Sequence, residues 1–225
     1  MSSLQNRGRF VVFEGIDGCG KSTQAERLVN WLISQRIPAI VTREPGGTNI
    51  GQAIRSLLLE TNEVIHPRTE LLLFMADRAQ HIDEVIKPAL SKGDWVICDR
   101  FTDSTLAYQG YGKQISLQTI HALNAITVNY LKPDLTLWLK LDWQASLSRL
   151  NKLDRMEKCG SEFYEWVSYG FQTLANQYPN NRTTIDASQP IDAVTSQVQR
   201  AVSPYLPYHS HQLDPLAIPA DAQKS

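Results

Sequence analysis

Residues 15–22 read Gly-Ile-Asp-Gly-Cys-Gly-Lys-Ser, a G-x-x-x-x-G-K-[ST] pattern, and no other feature restricts the fold of this chain as much. The pattern works where it joins a strand to a helix, and here the apolar run Phe10–Phe13 precedes it while an amphipathic stretch follows. Glycines let successive backbone N–H groups turn inward around a phosphate, and the helix N-terminus adds its partial positive charge. In that setting Lys21 neutralises the β- and γ-oxygens and Ser22 offers a hydroxyl to Mg2+. The bland alternative, a glycine-rich turn with a chance lysine, leaves the flanking strand and helix unexplained.

Short β-branched or aromatic runs recur at Phe10–Phe13, Ala39–Thr42, Trp95–Cys98, Leu135–Leu141 and Thr183–Ile185, separated by longer helical patterns. That alternation predicts parallel βαβ units. Ala25, Leu28, Val29, Leu32 and Ile33 form the stripe of a helix packed on a sheet, so a helix is expected over 21–35, ending before Pro38. Helical patterns also cover 50–60, 69–90, 117–130, 143–150, 162–177 and 191–202. The stretch 69–90 begins apolar all round at Leu71–Ala76, which predicts a long helix with a deeply buried first half, and Pro88 marks its last turn or a kink. The expected fold is therefore α/β: a five-stranded parallel sheet surrounded by about seven helices. The length of 225 residues suits one domain, placed at 1–202. From Ser203 onward Pro204, Pro207, Pro215 and Pro219 punctuate a segment without periodicity, so 203–225 is expected to be a flexible tail. His209 and His211 in that tail lack Cys or carboxylate partners at ligand spacing and are assigned no role.

Charge narrows the function classes. Twenty-two Lys and Arg against 23 Asp and Glu give a net charge of -1, so there is no bulk positive field to hold a nucleic acid, and anion binding must be local. Three cysteines, Cys19, Cys98 and Cys159, make neither a disulfide framework nor a zinc ligand set, which suits a reducing cytoplasm. The polar N-terminus leads straight into the first strand, with no apolar stretch of the ~20 residues a membrane span needs.

A second strand, Trp95–Cys98, ends in Asp99-Arg100, placing a metal-binding carboxylate and a phosphate-bridging guanidinium at the end of a strand, where α/β sheets bind ligands. Proteins sharing the phosphate loop differ in what lies opposite it. The Asn-Lys-x-Asp letters of a GTPase guanine reader occur at Asn151-Lys152-Leu153-Asp154, but they follow a helical pattern and not the end of a strand. Instead there are Arg43, Arg55, Phe74 with Arg78, and Arg100 with Tyr108, a set suited to a second, small phosphorylated ligand. Arg149, Lys152, Asp154-Arg155 and Glu157 lie between two helical patterns, where a basic lid around 149–160 can close over a transferring phosphoryl group.

These residues together resemble the bacterial thymidylate kinases of the nucleoside-monophosphate kinase group. The resemblance rests on Glu14-Gly15-Ile16-Asp17-Gly18-x-Gly20-Lys21-Ser22, Arg43-Glu44-Pro45-Gly46-Gly47, Arg55-Ser56-Leu57-Leu58, Phe74-x-Ala76-x-Arg78, Asp99-Arg100, Leu106-Ala107-Tyr108-Gln109-Gly110 and Asp154-Arg155-x-Glu157, in that order. It implies a P-loop NTPase-like three-layer α/β/α fold and the reaction ATP + dTMP → ADP + dTDP with Mg2+, a step toward dTTP. ATP would be held by Gly15, Ile16, Asp17, Gly18, Cys19, Gly20, Lys21, Ser22, Thr23 and Arg149, and the metal by Ser22 and Asp99. Phe74 would stack on thymine, Arg78 would reach its carbonyl, and Thr105 or Gln109 would meet the N3 edge, with Ser104 beside them. Tyr108 would crowd the sugar 2′ position. Arg55 and Arg100 would hold the monophosphate, against which the Arg43–Gly47 turn, with Pro45, brings its backbone. Lys21, Arg100, Asp17 and, from the lid, Arg155 would carry catalysis. A homodimer packed through 69–90 or 117–130 is also implied. Two alternatives stay open at this point: another pyrimidine monophosphate such as dUMP as acceptor, or a non-enzymatic ATP-binding regulator.

Overall fold

The computed structural model describes residues 7–150, 155–156, 159–177 and 179–207. Lys152, Asp154 and Glu157 of the expected lid, and the tail from 208 with His209 and His211, lie outside the described residues. The five strands are β1 (Phe10–Glu14), β2 (Ala39–Arg43), β3 (Trp95–Asp99), β4 (Leu135–Lys140) and β5 (Arg182–Asp186). All pair in parallel, in the order β2-β3-β1-β4-β5. The sheet grows first to one side of β1 and then to the other, so the carboxyl end of β1 is the switch point where ligands of open α/β sheets bind.

β1 and β3 are buried along their whole length because helices cover both faces. Alternation divides β1 between two cores: Val11 and Phe13 meet α1 (Lys21–Ser34) and α9 (Ile191–Val202), while Phe10 and Val12 meet Ile82, Ile86 and Phe101. The remaining helices are α2 (Asn49–Leu59), α3 (Pro67–His81), α4 (Lys87–Lys92), α5 (Thr102–Thr105), α6 (Leu117–Val128), α7 (Trp143–Leu147) and α8 (Ser161–Gln177). Ser203–Tyr205 adds a 3-10 turn, and Tyr205 and Leu206 pack on the α1/α9 core, so packed chain continues past 202.

Three features depart from the sequence reading. The single helix expected over 69–90 is α3 and α4 joined by a π-helical turn, Ile82–Ile86. Pro88 has no N–H for the carbonyl four residues back and its ring collides there, so the chain widens ahead of it. The first half of this element is also not apolar all round: Leu72 is 49% exposed, whereas Glu70, Asp77, Arg78 and His81 are buried. In addition, α5 and a π-helical segment, Leu106–Gly112, occupy a stretch for which no element was expected.

Candidate active site

The loop between β1 and α1 wraps Lys21 into the fold, where its Nζ donates to the Ile16 carbonyl at 2.8 Å. Gly18 is left-handed at φ 80, and a Cβ there would sit 2.2 Å from the Ser146 carbonyl of α7, so the loop's back is pressed onto that helix. The Ser146 hydroxyl donates to the Asp17 carbonyl at 2.6 Å. Cys19 is a buried filler of this loop. Burial raises its thiol pKa, and Asp99 and Asp17 add to the rise, outweighing Lys21 and Arg100. The backbone amides around Cys19 therefore do not make it a thiolate.

At the carboxyl ends of β1 and β3, Ser22 Oγ donates to Asp99 Oδ2 at 2.6 Å. Asp99 Oδ1 is buried without a hydrogen-bond partner among the described residues. A hydroxyl and a carboxylate with an unspent oxygen form the hard donor pair that Mg2+ takes alongside waters and phosphate oxygens.

Arg100 follows with φ 76, a conformation uncommon for a residue with a side chain. Its Nη1 donates to the Gly15 carbonyl at 3.0 Å and to Ser104 Oγ at 2.9 Å, its Nη2 donates to Asp17, and its guanidinium lies 5.1 Å from the Tyr108 ring centroid. Tyr108 donates its hydroxyl proton to Asp17 Oδ2 at 2.6 Å. Burial pulls the Asp17 carboxyl upward, but Arg100, Lys21 and the Tyr108 hydroxyl outweigh it and leave Asp17 below the ordinary carboxylate range. Burial and the Asp17 charge push the Tyr108 phenol well above its usual value, so it stays a donor.

Opposite lies a cleft walled by Pro45, Arg55, Phe74, Arg78, Tyr108, Gln109 and Met156. The Glu44-Pro45 bond is cis, and Arg55 Nη1 donates to the Pro45 carbonyl at 3.0 Å. Arg78 is 2% exposed and is largely committed to the protein itself. Its Nε donates to Glu44 at 2.8 Å, Nη1 to Asn124 at 2.8 Å, and Nη2 to the Phe101 carbonyl and to Thr105 Oγ1 at 2.9 Å each. Gln109 Nε2 donates to buried Glu70 at 3.0 Å, so Thr105 and Gln109 both belong to internal networks as well as to the cleft wall.

A second cleft is lined by Gly18, Gly20, Lys21, Ser22, Thr23, Arg43, Asp99 and, from beyond α7, Arg149. Arg149 also borders a third, with Cys19, Thr23, Gln24 and residues 187–191. The structure thus brings Arg149 to the phosphate loop. Arg155, expected there, is not among the residues lining that cleft: its Nε donates to the Leu58 carbonyl at 2.7 Å and its Nη2 to Glu70, at the acceptor side. Glu14, Glu70, Asp103 and Met156 were not singled out for a role in the sequence. A buried acid at the end of an apolar strand, as Glu14 is, was the available signal.

A family model described as thymidylate kinase matches residues 13–198. A thymidylate kinase of Gloeobacter violaceus is 45% identical over 210 residues, covering 91% of this chain and 99% of the relative. One from Synechococcus sp. (strain CC9902) is 48% identical over 204 residues, covering 87% and 97%. The crystal structure of thymidylate kinase from Ehrlichia chaffeensis superimposes with a TM-score of 0.74 at 34% identity, covering 88% of this chain and 99% of that one.

Proposed function

The chain belongs to the thymidylate kinase family, and from that premise we propose that it transfers the γ-phosphoryl group of ATP to dTMP, giving ADP and dTDP. The observation that carries this reading is that the phosphate-loop cleft and the Phe74 cleft share Asp17, Glu44, Arg55 and Arg100, so a donor in one meets an acceptor in the other. Phosphoryl transfer needs little covalent help from a protein, and positioning with charge neutralisation supplies most of the catalysis. Lys21 and Arg149 face the donor phosphates, and Arg55 and Arg100 the acceptor phosphate. Asp17, kept ionised, fixes the Arg100 guanidinium and the Tyr108 hydroxyl from one carboxylate. Mg2+ would be held by Ser22 and Asp99, and when bound it neutralises charge on the donor's β- and γ-oxygens.

The base wall favours an imide over cytosine. Arg78 spends four of its five N–H groups internally, leaving one on Nη1 for a base carbonyl. The Gln109 amide N–H is held by Glu70, which leaves its carbonyl oxygen to accept from an N3–H. Adenine would lie in the cleft lined by Arg149 and residues 187–191.

A coupled ADP-release assay with ATP and Mg2+ tests this, offering dTMP, dUMP, UMP and CMP in parallel, with Lys21→Ala and metal-free reactions as blanks. The expected kcat/KM is highest for dTMP. Absence of turnover with every acceptor, from a folded protein that binds ATP, overturns the assignment.

A homodimer in the cytoplasm completes the proposal. Leu72 of α3 and Ile126 of α6, 49% and 76% exposed, lie on helices that pack side by side and offer a second copy an apolar face. Sedimentation at micromolar concentration is expected to give twice the 25.4 kDa chain mass, and a single-chain mass alone removes the dimer.

A further inference from the structure

We propose that Glu14 is the positioning residue for Arg100, acting through Ser104. The inference rests on the kinase reading above and goes beyond it, because Glu14 is not among the residues lining either cleft. Glu14 ends β1 with 1% exposure, and its carboxylate accepts from Phe101 N at 2.8 Å, Ser104 N at 3.2 Å and Ser104 Oγ at 2.5 Å. Those partners stand just after Arg100 in the chain, and β1 also takes the Arg100 N–H on the Phe13 carbonyl at 2.9 Å. The left-handed turn at Arg100 is therefore fixed from β1 on both sides.

Ser104 has one hydroxyl hydrogen, and it goes to Glu14. Its lone pair then accepts from Arg100 Nη1. Protonated Glu14 competes as a donor for the same oxygen and turns the serine hydrogen toward the guanidinium, which loosens Arg100. The groups facing Glu14 are Ser104 and Asp103 from α5, with Asp103 held by Arg182 of β5 through two 2.8 Å bonds, and Arg100, with Asp17 and Tyr108 beyond it. Burial and the Asp103 charge raise the Glu14 carboxyl to about 7, against the lowering pull of Ser104, Arg100 and the Phe101 amide. The charge state of Glu14 therefore changes near neutrality.

The test compares wild type with E14Q and S104A, measuring kcat and KM for dTMP and for ATP from pH 6 to 9. The amide introduced by E14Q keeps an acceptor for the backbone N–H groups but donates to Ser104, as protonated Glu14 does. E14Q is expected to raise KM for dTMP about 10- to 100-fold with KM for ATP little changed, and to lose a rise in kcat/KM for dTMP through pH 7 that wild type shows. S104A gives the same KM split with the buried acid itself kept, and in the E14Q background it adds nothing.

Melting temperature supplies a readout independent of turnover. A carboxyl raised from 4.5 unfolded to about 7 folded binds more protons in the native state, so wild-type stability falls relative to E14Q as pH rises between those values. Unchanged KM for dTMP and an unchanged pH profile in both variants overturn the proposal. So does an equal rise in both KM values, which marks a general folding defect. No dTMP turnover by wild type overturns the kinase reading, and the Glu14 assignment with it.

Discussion

Replacing Arg78 with leucine is expected to lower the stability of the protein by about 3–5 kcal/mol, a large share of the 5–15 kcal/mol typical of a domain. Glu44 is 4% exposed and receives the Arg78 Nε, so removing the guanidinium strands a charge in the interior. Asn124, Thr105 and the Phe101 carbonyl lose donors at the same time, and the Phe101 ring loses a cation 5.2 Å from its centroid. Urea denaturation measures the loss. Arg78→Lys should recover only part of it, because one ammonium cannot serve partners on four sides. A drop below about 1 kcal/mol for Arg78→Leu would show that the network contributes little and that Arg78 serves the ligand alone.

The second large effect separates two arginines of the lid. Arg149→Ala is expected to lower kcat by about 10²- to 10³-fold, as removal of one preorganised donor does elsewhere, with KM for dTMP nearly constant. Arg155→Ala should leave kcat within a few-fold and raise KM for dTMP, because its bonds run to the Leu58 carbonyl and to Glu70 beside Gln109. Glu70 has 0% exposure, and burial alone would lift its carboxyl, yet bonds from Lys113, Arg155 and Gln109 hold it below the usual range. Steady-state kinetics of the two variants decides. The opposite pattern returns the phosphate-facing role to Arg155.

How far such roles were legible depended on distance along the chain. The phosphate loop, the five strands and the stripe of α1 are local patterns, and the structure extends most strands by only a residue or so at their ends. Arg155 and Glu70 are 85 positions apart, and Glu14 and Ser104 are 90 apart, so no periodicity pairs them. The Asp154-Arg155-x-Glu157 pattern and the bidentate fork pointed Arg155 to the phosphates, and its bonds in the structure run to the Leu58 carbonyl and Glu70. In α3 the run from Leu71 hid a mixed buried face, since Leu72 is exposed while Asp77, Arg78 and His81 are buried along with Leu71 and Met75. Periodicity scores apolar letters, and it passes over buried charges such as Arg78 whose partners lie far along the chain. Arg149 was singled out with the lid, but its place beside Thr23 follows from α7 being pressed against the phosphate loop.

That pressed contact has a mechanical consequence. On one side the chain is fastened to the phosphate loop through Ser146, and on the other Arg155 is fastened to the end of α2 and to Glu70. Between Leu150 and Arg155 there are four residues, whose five steps reach no further than about 18 Å when fully drawn out. That reach is an upper limit on the distance between the two anchored ends. Deleting a residue from this stretch therefore lowers the limit on how far its two anchored ends can separate by about 3.5 Å.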